Sequence, residues 1–418
     1  SRHLAAQEFA MVALSRSWGV LVVVAAGVGG MLGVMMLQPG AGCDVRSESV
    51  QAAKAADIAP DVVMATAAGG ASQDSVASTD VVAGASRESF ALRAAVRGAS
   101  EDSVDAKAQL PCPEELCEFL WSGTEVVGKD SAGMVKPTAK PGEQDCIVAW
   151  MKDGPYLAGG KPPAMCVRHY WDLVSSDLRL KGIWGDCTIL SNLWEQPCLE
   201  DKELCDRKAY IDIGANIGAC LLLMLARPDV TLAMGFEPSP ANLFYLTSSL
   251  LLNPRLSQKV NLYTAALGAK AGRHAMYAEE HNAGNTVLDA STGKFTKVGE
   301  VATITLDDVV MNLDPLPYIH LAKVDAQGFE VNILRGGTRV LEAGLVAVYK
   351  FELSPTHLTQ QKTNSAELLN CFIDYGYYIA HEGLAEGGKY RALTPAELKS
   401  RGCKPAGALD LLAVRNRG

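Results

Sequence analysis

Tyr210-Ile211-Asp212-Ile213-Gly214-Ala215-Asn216-Ile217-Gly218 is the stretch whose reading decides the fold. An apolar run closes on a carboxylate, two glycines follow four residues apart, and a second apolar run at Ile217 to Ala226 has the length of a helix. Strand, glycine turn and helix in that order form a nucleotide site, because residues without a Cβ let backbone N–H groups approach a ligand at the helix start. A pyrophosphate needs G-x-G-x-x-G for that approach, and position 216 is Asn. Asp212 beside the turn repels phosphate and suits an ammonium group. The loop therefore favours S-adenosylmethionine over a dinucleotide, with an NAD-dependent oxidoreductase as the alternative.

One βα unit downstream, the apolar run Leu232 to Phe236 meets Glu237-Pro238. A carboxylate there can accept hydrogen bonds from both ribose hydroxyls, and ionised acceptors make strong ones. NAD enzymes carry the same feature, so Glu237 argues for an adenosine-type ligand without choosing between the two. A solvated residue ahead of a helix is its plain alternative. Ser239-Pro240 then suits an N-cap followed by Pro at the first helical position.

Outward from this core, short apolar runs alternate with helical patterns, the signature of βα units around a parallel sheet. Strands are expected at Ala209 to Ile213, Thr231 to Phe236, Val260 to Ala266, Ile319 to Asp325, Val346 to Glu352, Tyr377 to His381 and Leu409 to Val414. Helices are expected at Ile217 to Ala226, Pro240 to Leu252, Glu330 to Glu342 and Ser365 to Tyr375. The segment Arg273 to Leu306 fits no simple crossover: it offers a short strand at Ala275 to Tyr277, a polar loop at His281 to Asn285 and a strand at Val301 to Leu306. Asp307 and Asp308 start a helix more readily than they hold a cation.

YIDIGANIGA, GFEPSPANLFYL, LNP near residue 253, AALGAKAG, TLDDV, KVDAQGFEVNILRGG and FELSPTH follow one another between Lys208 and Ala380. In that order they resemble the FkbM-type methyltransferases. The resemblance implies a class I, Rossmann-like fold with a seven-strand sheet, and methyl transfer from S-adenosyl-L-methionine, commonly onto a hydroxyl of a sugar or natural product. It places Asp212, Gly214, Asn216, Gly218 and Glu237 around the cofactor, with Ala265 and Ala266 near the adenine. Gln327 departs from the commonest pattern of the family, which has Glu there. That departure leaves room for a catalytically silent binding protein. An alcohol is a poor nucleophile, so O-methylation needs a base close to the acceptor. The candidates are Asp325, which ends a strand at the cofactor edge, and Glu330, Glu352 and His357. Glu330 could equally serve the N-terminus of the next helix, and His357 could be a solvated loop residue. No metal-ligand spacing is found.

The rest of the chain divides by composition. Hydrophobic residues make up 48% of the 418 but aromatics only 6%, because the first hundred residues are rich in Ala and Val. After a short flank, 1–17, the uncharged run Trp18 to Leu37 is long enough to cross a bilayer as a helix. The flanking charges put its N-terminus in the cytoplasm; a cleaved signal peptide or an organelle-targeting segment are the alternatives. Residues 40–109 read as a flexible stem. Residues 111–207 form a lobe with five tryptophans and seven cysteines, Cys112, Cys117, Cys146, Cys166, Cys187, Cys198 and Cys205, whose fold the sequence does not reveal. Disulfides, zinc and scattered thiols are the readings of that cluster; disulfides lead if the lobe is lumenal. The methyltransferase domain spans 208–415. A single-pass membrane protein of the Golgi or endoplasmic reticulum, acting on a small-molecule or glycan acceptor, is the resulting expectation. A net charge of -9 and the lack of a basic stripe argue against nucleic acid.

Overall fold

The computed structural model describes residues 22–23, 35–36, 114–129, 135–137, 146–152, 162–198, 200, 202–279, 282–289, 295–384, 390–402 and 407–416. It divides into two units, Ser1–Asp44 and Val45–Gly418.

In the first unit, Val22–Val23 pairs antiparallel with Met35–Met36. A continuous membrane-spanning helix over 18–37 is therefore not what these four residues adopt, and no helix among the described residues is long and apolar enough to cross a membrane. The physical reason lies in the run itself: β-branched valines prefer strand, and the glycines between the two pairs lower helix propensity. The rest of 18–37, the flank 1–17 and the stem 40–109 lie outside the described residues.

The second unit is built on one eight-stranded sheet, against the seven strands expected, because Tyr390–Ala392 adds an edge strand. After a short antiparallel pair, Val127–Lys129 with Val135–Pro137, the N-terminal lobe contributes a separate hairpin, β1 (Cys146–Trp150) and β2 (Ala164–Arg168). Helices α1 (Leu173–Lys181) and α2 (Gly185–Trp194) follow. The βα series then opens with β3 (Lys208–Ile213), α3 (Ala219–Leu225), β4 (Leu232–Phe236), α4 (Pro240–Leu252) and β5 (Val260–Tyr263). An inserted sheet follows: β6 (Ala266–Leu267), β7 (Gly272–Glu279), β8 (Asn282–Leu288) and β9 (Phe295–Ile304). The main sheet resumes with β10 (Tyr318–Val324), α5 (Glu330–Arg335), β11 (Val348–Leu353), α6 (Ser365–Ile373), β12 (Tyr377–Leu384), β13 (Tyr390–Ala392) and β14 (Leu409–Arg415).

The strand order is β13-β12-β14-β11-β10-β3-β4-β5. The five strands from β11 to β5 are parallel, whereas β14 runs antiparallel to both β11 and β12. Apolar side chains alternate across β3: Ala209, Ile211 and Ile213 enter one hydrophobic cluster and Tyr210 the other. Both faces are thus covered, as a parallel sheet requires.

Three expectations are corrected. The expected strand Val260 to Ala266 breaks after Tyr263, because Thr264 donates its backbone N–H to Phe119 O at 2.7 Å; the chain then leaves the main sheet for the inserted one. The expected polar loop His281 to Asn285 is strand from Asn282, paired antiparallel with β7. The expected helix Glu330 to Glu342 is two helices, split at Gly336-Gly337, where a Cβ on Gly336 would lie 1.9 Å from Gly268 O.

The N-terminal lobe shares the hydrophobic cluster of α3 and α4: Met165, Cys187, Leu190 and Trp194 belong with Leu221, Leu243 and Leu246. Polar side chains inside α4 complete the junction. Ser249 Oγ accepts from Cys166 N at 2.9 Å, and the Asn253 amide both accepts from Ala164 N and donates to Ala164 O. The free edge of β2 is thereby satisfied by a helix rather than by another strand.

Among the described residues, five of the clustered cysteines form disulfides, Cys146–Cys166, Cys198–Cys205 and Cys187–Cys220, and no group of three metal-binding side chains gathers; Cys112 lies outside the described residues. The last bridge ties α2 of the lobe to the helix that follows the glycine turn. Closing 33 residues of chain restricts the unfolded ensemble, so Cys187→Ser/Cys220→Ser is expected to cost about 3 kcal/mol. Urea unfolding of the oxidised protein and the double variant checks this; equal midpoints would show that the bridge contributes nothing.

Candidate functional site

Strand register brings the site to one sheet edge. Ile213 lies opposite Phe236 on one side and Val324 on the other, and Val324 opposite Phe351. The loops leaving β3, β4, β10 and β11 consequently emerge side by side at the carboxyl ends of parallel strands, where open α/β sheets bind ligands. A cavity of about 440 Å³ opens there.

Its floor starts with the glycine turn. Gly214 has φ +78°, and a Cβ on it would sit 1.9 Å from Asp325 O; Gly218 has φ +89° and packs against Leu246. Only glycine meets both demands at position 214. Asn216, also in the left-handed region at φ +53°, lets its own carboxamide accept from Ile217 N at 2.7 Å, a local bond that makes this conformation tolerable for Asn.

Glu237 is buried and fully engaged. Oε2 accepts from Asn216 N at 2.8 Å, and Oε1 from Ser239 N at 2.8 Å and Asn242 Nδ2 at 3.2 Å. Burial pushes its carboxyl up to about 7 despite those donors. One carboxylate thus links the turn after β3 to the turn after β4.

Beneath the cavity a row of charges crosses the sheet. Lys323 of β10 lies in register with Asp212 of β3 and with Lys350 of β11. Lys323 Nζ is 3.1 Å from Asp325 Oδ2 and 3.8 Å from Asp212 Oδ1, and Lys350 Nζ is 2.8 Å from Asp410. Against the burial that would lower it, Asp325 and Asp212 hold the Lys323 ammonium above its ordinary range. Burial raises the Asp212 carboxyl, with Lys323 opposing, and neither Asp212 oxygen meets a hydrogen-bond donor among the described residues. Asp325 is held below the usual carboxylate range: burial opposes this, but Lys323 and the Gln327 amide, 2.9 Å from Oδ1, prevail. Gln327, where the family more often has Glu, thus donates to Asp325.

Glu330 does not line the cavity. Its Oε1 accepts from Ala326 N at 3.0 Å and Gly328 N at 3.1 Å, so it holds the loop between β10 and α5; burial pushes it up to about 7. Glu352 and His357 do line the cavity, with Glu352 Oε2 3.8 Å from His357 Nδ1. That carboxylate raises the imidazole above its ordinary range, against burial. Ala266 reaches the cavity wall, whereas Ala265 is fully buried beside it.

Two walls come from parts of the chain that the motifs do not cover. The N-terminal lobe supplies Asp172, Leu173, Trp184 and Asp186, and β8 of the inserted sheet supplies Thr286 and Leu288. Burial raises the Asp186 carboxyl, with Lys350 opposing. Lys323 and Lys350 carried a signal that motif reading passed over: a lysine in the middle of an apolar strand has to be paired.

Residues 212–379 match the family model of the methyltransferase FkbM domain. The chain carries an FkbM methyltransferase domain. Among solved structures it is similar to a methyltransferase FkbM from Methylobacillus flagellatus KT, at 18% identity over 50% of this chain and 44% of that one, TM-score 0.31. It is also similar to a SAM-dependent O-methyltransferase from Thermotoga maritima, at 11% identity over 72% of this chain and 97% of that one, TM-score 0.30. The alignment therefore spans less than half of the Methylobacillus protein. No curated protein sequence matches. The matched segment of the FkbM domain holds every expected site residue and Lys323, while Arg168, Asp172 and Asp186 lie before it.

Proposed function

We propose that the FkbM domain methylates a hydroxyl oxygen of a small-molecule or glycan acceptor, using S-adenosyl-L-methionine. The observation that carries this reading is the pairing, in one cavity, of the buried Asp212 carboxylate with the glycine cradle at Gly214 and the braced Glu237. Asp212 fits the ammonium of the amino-acid tail, Gly214 gives the close approach, and Glu237 fits the ribose hydroxyls. When bound, the cofactor supplies a methyl group on a positively charged sulfur.

The acceptor side requires a base for the hydroxyl proton. Asp325, held low by Lys323 and Gln327, is a weak base and is better suited to orienting an acceptor hydroxyl. Glu330 is turned into its own loop. His357, paired with Glu352 on the cavity wall, takes the proton at a ring nitrogen, and Glu352 stabilises the imidazolium that results.

Because Glu352 raises the imidazole, its neutral form gains population only above the ordinary histidine value of about 6.5. Turnover is expected to climb with pH above that value, and Glu352→Gln should move the climb to lower pH. His357→Ala should reduce turnover by roughly 10²- to 10⁴-fold while leaving affinity for S-adenosylhomocysteine intact. Transfer of labelled methyl to an acceptor panel provides the assay; an undiminished rate in His357→Ala would remove this residue from the chemistry. The three disulfides support an oxidising compartment, such as the lumen of the Golgi or endoplasmic reticulum.

A further inference from the structure

We infer that Arg168 of the N-terminal lobe is a positioning residue that fixes Glu237, through Asn242, for its contact with the ribose of the bound nucleoside. The inference rests on the cofactor reading above and assigns a role in it to a residue outside the FkbM segment.

Arg168 is the last residue of β2 and is 0% exposed. One terminal nitrogen, Nη1, lies 3.3 Å from Asp172 Oδ2, and the other, Nη2, donates to Asn242 Oδ1. Asn242 in turn donates from Nδ2 to Glu237 Oε1 at 3.2 Å. A carboxamide presents an acceptor at one end and a donor at the other. With its oxygen held by a cation that can only donate, Asn242 has one orientation, and that orientation aims its N–H₂ at Glu237. Reversing the amide would face oxygen to carboxylate and nitrogen to guanidinium at once.

The arginine is itself held at both terminal nitrogens and over its face. Its guanidinium carbon lies 4.9 Å from the Tyr245 ring centroid, and Ser175 N donates to Asp172 Oδ2 at 3.0 Å, fixing the counter-ion. Planar guanidinium suits this fork and ammonium does not. Two buried carboxylates, Asp172 and Glu237, flank Arg168, whose charge joins the Ser239, Asn216 and Asn242 donors in counteracting the upward push of burial on Glu237. Asp212 also faces the cavity from β3 and carries the same sign as Glu237. Without Arg168, Glu237 stays protonated to a higher pH and Asn242 loses its fixed orientation, so the ribose would meet a poorer acceptor.

The test is calorimetric titration of S-adenosylhomocysteine into the full chain from about pH 5.5 to 9, for the native protein, Arg168→Gln, Arg168→Lys and Asn242→Asp. Arg168→Gln is expected to bind roughly tenfold more weakly or worse near neutral pH, with the acid-side loss of affinity shifted to higher pH. Arg168→Lys should restore part of the pH profile, by restoring charge, but not the full affinity. Asn242→Asp places a third carboxylate beside Glu237 and should shift the acid-side loss upward as well; it decides the matter if Arg168→Gln proves unfolded by circular dichroism. A folded Arg168→Gln with native affinity and pH profile overturns the inference, as does an Asn242→Asp profile that coincides with the native one. If the native protein itself takes up no nucleoside, the cofactor reading fails and this inference with it.

Discussion

Gly214→Ala is expected to destabilise the FkbM domain by about 2–5 kcal/mol and to eliminate cofactor binding. Two costs combine. A non-glycine residue at φ +78° is strained by roughly 1–2 kcal/mol. The added methyl would then sit 1.9 Å from Asp325 O, which forces β3 and β10 apart at the edge that forms the site, an overpacking cost of about 1–3 kcal/mol. The neighbour is backbone, anchored by the 3.1 Å bond from Asp325 N to Ile213 O, so no side-chain rotation relieves the contact. Gly218→Ala meets only the flexible ends of Leu246 and Leu222 and should cost less. Urea denaturation of the two variants makes the comparison; equal losses, or a Gly214→Ala protein within about 1 kcal/mol of native, would show that the close approach is not what the glycine provides.

The second large effect is at Glu237. Glu237→Ala removes the acceptor for two backbone N–H groups and one side-chain amide, and with it the proposed partner of both ribose hydroxyls. Hydrogen bonds to a charged group contribute about 1.5–3 kcal/mol each, so losing two to the ribose predicts affinity lower by roughly 10²-fold or more. Glu237→Gln keeps one oxygen but turns an acceptor into a donor facing N–H groups, and should fall between the two. Since burial sets this carboxyl at about 7, native affinity should also decline as the pH falls through that value, whereas Glu237→Gln should be flat there. A Glu237→Ala protein with native affinity would mean that the nucleoside lies elsewhere.

Seven of the eight strands of the main sheet were legible as short, largely apolar runs bounded by glycine, proline or a charge; the edge strand β13, Tyr390–Ala392, carries no such pattern and was not expected. The cofactor edge was legible for a local reason too: Asp212 is the last but one residue of a strand, Gly214 and Glu237 follow directly on strand ends, and Gly218 starts the helix. What escaped depends on residues far apart in sequence. Thr264 leaves the sheet because Phe119, 145 residues away, offers it an acceptor. Arg168 meets Asn242 across 74 residues, and Asn253 caps a strand edge 89 residues upstream. The mid-helix hydroxyls of α4 look like weak helix formers until β2 is laid against them. Glu330 was ambiguous by type alone, since a carboxylate after a strand can serve a substrate or its own loop, and only its two backbone donors separate the roles.

The proposed function requires that the cavity over Gly214 and Glu237 accept S-adenosylmethionine. Titration of S-adenosylhomocysteine and, separately, NAD into the native chain addresses it most directly. Saturable one-to-one heat is expected with the first and none with the second; silence with S-adenosylhomocysteine, or saturable binding of NAD, would overturn the assignment.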